Sequence, residues 1–130
     1  MTTPLNAIVH LVVDDDAVRD SLKVLLQSHD FAVEDYASAE TFLSEGVADA
    51  PGCILLDLHV PVSSGLSAVS ALQAKGVHLP SILITGRVGK MSPTEARRAG
   101  AAAVLEKPVD EGVLLAAIAH AVEHQHRAAV

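Results

Sequence analysis

Five short apolar runs, each followed by a segment of helical periodicity, constrain the fold more than any other feature of this chain. Ile8-Val9-His10-Leu11-Val12-Val13 reads as a strand buried on both faces. Phe31 to Tyr36, Cys53-Ile54-Leu55-Leu56, Ser81-Ile82-Leu83-Ile84 and Ala103-Val104-Leu105 supply four more strands. Between and after them the apolar period becomes helical. Val18, Leu22, Leu25 and Leu26 fall on one side of a helix over Asp14 to Ser28. Ser38-Ala39-Glu40-Thr41 is a capping-box-like start, with Thr41 where Glu or Gln is usual, and Glu40 to Leu43 opens a short second helix. Gly65 to Lys75 is predicted helical with Gly76 as its stop, and Ser92-Pro93-Thr94-Glu95 caps a helix ending at Gly100. Asp110 to about His124 is the last helix, with Leu114, Ala117, Ile118, Ala121 and Val122 inward.

Strands alternating with helices through short connections imply a parallel sheet covered on both faces. At 130 residues with 50% hydrophobic content, the chain is expected to form one domain spanning residues 1–130. Only 2% of residues are aromatic, so the core must be built from Val, Leu, Ile and Ala. The one cysteine, Cys53, excludes an internal disulfide and reads as a small buried hydrophobe. No apolar run is long enough to span a bilayer, and no signal-peptide pattern opens the sequence, so a cytoplasmic location is expected. A net charge of −7 opposes direct binding of nucleic acid by this domain.

In folds of this class ligands bind beyond the carboxyl ends of the strands. Asp14, Asp15 and Asp16 follow the first strand, Asp57 the third, Thr85 the fourth, and Lys107 the fifth. Several carboxylates at one sheet edge repel one another and favour a cation, and hard oxygen ligands select Mg²⁺. With its charge shielded, the Asp57 carboxylate can attack phosphorus to form an acyl phosphate. Lys107 would neutralise one phosphoryl oxygen, and the Thr85 hydroxyl would donate to another. Taken alone, Asp14 to Asp16 is a helix cap, Thr85 a strand-end threonine and Lys107 a surface lysine. Asp57, directly after three buried apolar residues, resists such a reading because an unpaired buried charge is costly.

Val12-Val13-Asp14-Asp15-Asp16, Leu55-Leu56-Asp57-Leu58, Pro61…Ser64-Gly65, Ile84-Thr85-Gly86 and Leu105-Glu106-Lys107-Pro108 resemble the five signature segments of response regulator receiver domains. Val18-Arg19-Asp20-Ser21-Leu22, Tyr36-Ala37-Ser38-Ala39-Glu40 and Pro51-Gly52-Cys53 are similar to the FixJ-like branch. The resemblance runs from about Ile8 to Val122, with 28 residues from Asp57 to Thr85 and 22 from Thr85 to Lys107. It implies a flavodoxin-like, doubly wound, five-stranded parallel sheet with five helices. It implies Asp57 as phosphoacceptor for a histidine kinase, and Mg²⁺ held by an acidic residue after the first strand, by Asp57 and by the His59 carbonyl. It further implies Thr85 as the switch hydroxyl, Lys107 as a bridge to the phosphate, and a cis Lys107–Pro108 bond. Such a domain catalyses only its own phosphorylation and dephosphorylation. The face formed by the fourth helix, fifth strand and fifth helix would switch, with a homodimer forming on phosphorylation. FixJ-like regulators normally carry a helix-turn-helix output domain, through which DNA would be reached.

The acidic pair of such domains fits this sequence in two registers. The gapless one places it at Val13 and Asp14, leaving the site one carboxylate short, and is preferred on length. The other uses Asp14 and Asp15 and deletes one residue before Ala17. Val104 also stands where the family usually has an aromatic, and Val60 where it has Met. Val13 and Val104 favour the alternative of a degenerate receiver acting as a protein-binding module. A haloacid-dehalogenase-type enzyme would want Asp at position 59, where His59 stands. A flavin carrier would want a Ser/Thr-rich phosphate loop where the three aspartates lie. His120 and His124 have zinc-compatible spacing without a further ligand, and read as a solvated helix end.

Overall fold

A computed structural model describes residues 7–45, 52–60, 62–86 and 93–128. In chain order the elements are β1 (Ile8–Val13), α1 (Asp16–Ser28), β2 (Ala32–Tyr36), α2 (Ala39–Glu45), β3 (Gly52–Asp57), α3 (Val62–Ala74), β4 (Ser81–Thr85), α4 (Pro93–Arg98), β5 (Ala101–Glu106) and α5 (Glu111–Ala128). All strand pairs are parallel, in the order β2-β1-β3-β4-β5.

Strand alternation divides the core in two. Val9, Leu11, Val13, Cys53, Leu55, Ile82 and Ile84 pack beneath α1 and α5, against Leu26, Leu114 and Ile118. Val12, Ile54, Leu56 and Leu83 face the other way, against Phe42 of α2, Leu66, Val69 and Leu72 of α3, and Ala96 of α4. The central strands are apolar on both faces, which is why they read as continuous runs. The expected five-stranded doubly wound architecture is present. Burial pushes the Cys53 thiol up to about 12, so it behaves as an inert part of this core.

Several element boundaries differ from the sequence expectation. α1 begins at Asp16, because Asp15 is its N-cap and accepts from Val18 N at 2.9 Å. α3 begins at Val62, three residues before Gly65. That glycine is admitted for contact: a Cβ on it would lie 2.8 Å from Leu83 Cδ1, so α3 sits against β4 where a side chain would hold it off. β5 takes up Ala101 and Ala102 as well as the expected core, with its register against β4 shifting between Ser81 and Ile82. α5 continues to Ala128, and α4 stops at Arg98. The expected cap at Ser92, and Pro61 before α3, lie outside the described residues.

Three local devices fix the ends of elements. Gly52 opens β3 directly beside β1, where a Cβ would come within 2.0 Å of the Ile8 carbonyl oxygen, so no larger residue fits without moving backbone. Gly76 ends α3 at φ 91°, with Val77 N donating to Leu72 O at 3.0 Å. Ser38 caps α2 through its hydroxyl, which accepts from Thr41 N at 3.1 Å and pairs with the Thr41 hydroxyl at 2.9 Å. Thr41 therefore fills the Glu/Gln position of the box with a shorter contact.

Candidate functional site

The strand order reverses direction between β1 and β3, and a crevice opens at their carboxyl ends. Asp57 is the last residue of β3 and Val13 the last of β1, and the two are register partners. Asp57 is only 2% exposed, yet it borders an apolar crevice between α1 and α5 lined by Val18, Leu22, Leu25, Val109 and Leu114. Lys107 Nζ lies 2.8 Å from Asp57 Oδ1. The pair is close without hydrogen-bond alignment, and Oδ1 has no hydrogen-bond partner among the described residues. A buried carboxylate so placed keeps acceptor capacity for an incoming group.

Thr85 is buried at the end of β4, one residue beyond Ile84, the register partner of Asp57. Its carbonyl oxygen accepts from Lys107 N at 2.8 Å, which ties the lysine to the strand that carries the threonine. The Lys107–Pro108 peptide is cis, as the resemblance implied. Asp57, Thr85 and Lys107 are thus gathered at one sheet edge from three strands.

The first loop separates its aspartates. Val13 is fully buried in the α1/α5 core. Asp14 reaches across to the segment after β3: its Oδ2 accepts from His59 N at 3.0 Å, and its Oδ1 lies 2.9 Å from His59 Nδ1. Burial pushes the Asp14 carboxyl upward, but the hydrogen bonds and charge of His59 together outweigh it and hold the group below the usual carboxylate value. Asp15 is committed to the α1 cap, and Asp16 pairs with Arg19 at 2.6 Å. The geometry therefore brings Asp14 beside the β3 loop and leaves Asp15 on the helix.

One contributor escaped the sequence reading. Arg19, quoted there only as part of the FixJ-like segment, donates from Nη1 to Val13 O at 2.8 Å and lies 3.4 Å from Asp35 of β2. Lys23 completes the pairing of Asp35 at 2.9 Å. These contacts fasten the carboxyl end of β1 to α1 and β2, so the Asp14 backbone starts from a fixed point. The signal available was Arg19 one turn into a helix that opens at a strand end, a position from which a guanidinium reaches back to the preceding carbonyls.

Mg²⁺ can be tested against these donors. Asp14 offers two hard oxygens, half exposed, and Asp57 Oδ1 lacks a hydrogen-bonded partner. Two carboxylates with water completing the sphere are within the ordinary Mg²⁺ repertoire. The donors therefore fit the ion, but sparsely: among the described residues no group of three His, Cys, Asp or Glu side chains gathers to hold a metal.

A parallel sheet of order β2-β1-β3-β4-β5, with aspartate, threonine and lysine at three successive strand ends, is the architecture of a receiver-type signalling domain. The sequence matches the response regulator receiver domain over residues 9–119, and the chain belongs to that family. It is 44% identical over 110 residues to the transcriptional regulatory protein FixJ of Azorhizobium caulinodans, a match covering 85% of this chain and 52% of that protein. FixJ of Rhizobium meliloti is 38% identical over 116 residues, covering 89% of this chain and 57% of that one. The crystal structure of FixJ-N superposes with a TM-score of 0.79 at 36% identity, covering 93% of this chain and 97% of that one. The chain is a FixJ-like receiver domain of a two-component response regulator, and it spans about half the length of these curated relatives. Among the described residues no helix is long and apolar enough to cross a membrane.

Proposed function

We propose that this receiver takes a phosphoryl group from a histidine kinase onto Asp57 and catalyses no reaction beyond its own phosphorylation and dephosphorylation. The carrying observation is the buried Asp57 carboxylate with Lys107 Nζ at 2.8 Å, the lysine being tied through its backbone to Thr85. A carboxylate oxygen attacks phosphorus while the bond from phosphorus to the donor nitrogen breaks and the leaving imidazole takes a proton. Lys107 neutralises charge on the transferred group, and Thr85 donates its hydroxyl to another phosphoryl oxygen. Asp14 and Asp57 would hold Mg²⁺, which when bound shields the aspartate from the anionic donor. A cytoplasmic location suits such a partner.

The test is incubation with acetyl phosphate or beryllofluoride and Mg²⁺, with the adduct mapped by mass spectrometry. A single adduct at Asp57 is expected, lost in Asp57→Asn. Labelling of the variant as strong as that of the native protein overturns the assignment.

Output is proposed to run through α4, β5 and α5. Val104, half-buried beside the α4 core, stands where the family carries an aromatic ring. Its short, stiff side chain gives a smaller difference between states. The loop from Gly86 to Ser92, expected to relax as Thr85 moves, extends beyond the described residues at positions 87–92. A second reading, that of a protein-binding module with inefficient phosphorylation, draws on apolar Val13 and on the capture of Asp14 by His59. In a FixJ-like regulator, DNA would be reached through an output domain outside the receiver.

A further inference from the structure

We infer that the His59 imidazole is a latch on Asp14: it holds the cation-binding carboxylate closed, and a divalent cation must displace it to bind. The inference rests on the reading of Asp14 and Asp57 as the cation site and adds the control of that site.

The geometry is specific. A tight turn, with Val60 N donating to Leu58 O at 2.8 Å, presents both the backbone N–H and the ring of His59 to one carboxylate. The two contacts engage different oxygens, 3.0 Å to Oδ2 and 2.9 Å to Oδ1. An ionised carboxylate only accepts, so Nδ1 carries the proton that is donated. The side chains are 56% exposed for His59 and 38% for Asp14, and an exposed pair of this kind adds little to fold stability. What the contact does determine is the orientation and availability of the Asp14 oxygens. With Val13 buried and apolar and Asp15 on the α1 cap, neither flanking residue supplies a second carboxylate beside Asp14. A cation at Asp14 meets the positive end of the Nδ1–H dipole at the oxygen it needs. Where Mg²⁺, with its near-octahedral demand, takes the Oδ1 lone pair that Nδ1–H occupies, the ring is displaced. The backbone bond can remain, because a carboxylate has about four lone-pair sites.

His59 is thus a positioning residue that sets cation affinity. The experiment measures Mg²⁺ binding by calorimetry in the native chain, His59→Ala and Asp14→Ala, and follows the His59 ring nitrogens by NMR during a Mg²⁺ titration. His59→Ala keeps the backbone donor and alters only an exposed side chain, so its fold is preserved. Losing one competing hydrogen bond should tighten Mg²⁺ binding about three- to tenfold. In the native chain the His59 ring resonances should move to a released position in step with Mg²⁺ occupancy. Equal Mg²⁺ affinity in the native and His59→Ala proteins, with Asp14→Ala still abolishing binding, overturns the latch and leaves the cation site standing. Binding that is absent throughout, or indifferent to Asp14→Ala, overturns the cation reading and the latch with it. Unmoved ring resonances at saturating Mg²⁺ also overturn the latch.

Discussion

His10 is the residue whose structure departs furthest from ordinary practice. It sits mid-strand in β1 at 1% exposure, and neither ring nitrogen has a hydrogen-bond partner among the described residues. Its ring lies 5.2 Å from Phe42 and 6.1 Å from Tyr36, which themselves meet edge-on at 5.2 Å. Burial lowers its pKa, opposed by the charge of its register partner Glu34. The folded chain therefore holds His10 neutral at pH values where an unfolded histidine, near 6.5, binds a proton. Because the unfolded state binds more protons there, stability rises with pH. The contribution is fully present above about pH 6.5 and is lost as pH falls below it. Replacing His10 by Leu removes both the titration and two unsatisfied buried nitrogens. We expect stabilisation of about 1–3 kcal/mol at pH 7, and a thermal midpoint that falls less between pH 7.5 and 5.5 than that of the native chain. A parallel fall in both proteins would show that the proton uptake lies elsewhere. The burial of position 10 was legible, since the whole run Ile8–Val13 reads as a buried strand. The aromatic partners were not, because Tyr36 and Phe42 arrive from β2 and α2 by tertiary packing.

At the scale of elements, the segment from Asp14 to Arg19 separates two kinds of aspartate. Asp15 serves α1 through its bond to Val18 N, whereas Asp14 bonds His59 in the segment after β3. Asp15→Ala should cost about 1 kcal/mol, the usual value of an N-cap, and leave the Mg²⁺-dependent rise in thermal midpoint unchanged. Asp14→Ala should abolish that rise with little loss of stability in the absence of metal. Thermal unfolding of both variants across a Mg²⁺ series distinguishes them, and the reverse pattern would reinstate the register that pairs Asp14 with Asp15. The sequence could offer both registers because either spacing fills a strand–helix junction. The outcome depends on a 45-residue separation closed by the turn at His59, which no local pattern encodes. Strand runs were legible for a simpler reason: a strand buried on both faces must be apolar throughout. Helix starts were less so. Gly65 reads as a boundary by propensity, but tertiary contact with Leu83 recruits it into α3.

For the whole molecule, the gathering of Asp57, Thr85 and Lys107 was legible because parallel strands all discharge at the same edge, so strand-end residues meet whatever their separation in sequence. We expect that edge to act on a second molecule through the side of the sheet where α4, β5 and α5 lie. β5 is an edge strand built from Ala101-Ala102-Ala103-Val104, and small side chains permit close approach between subunits. Phosphorylation shifts association only by the difference in affinity between the two states of this face. With Val104 in place of a ring, that difference is expected to be small, so a modest gain in dimerisation is predicted and an all-or-none switch is not. Sedimentation velocity with and without beryllofluoride, over a concentration series, reads the shift directly. A tight dimer before modification, or a monomer in both states at high concentration, would contradict it. Substituting Val104→Phe restores a ring that must choose between burial near Ala96 and exposure. It should widen the gap between the two sedimentation profiles, linking the residue, the edge strand and the assembly in one measurement.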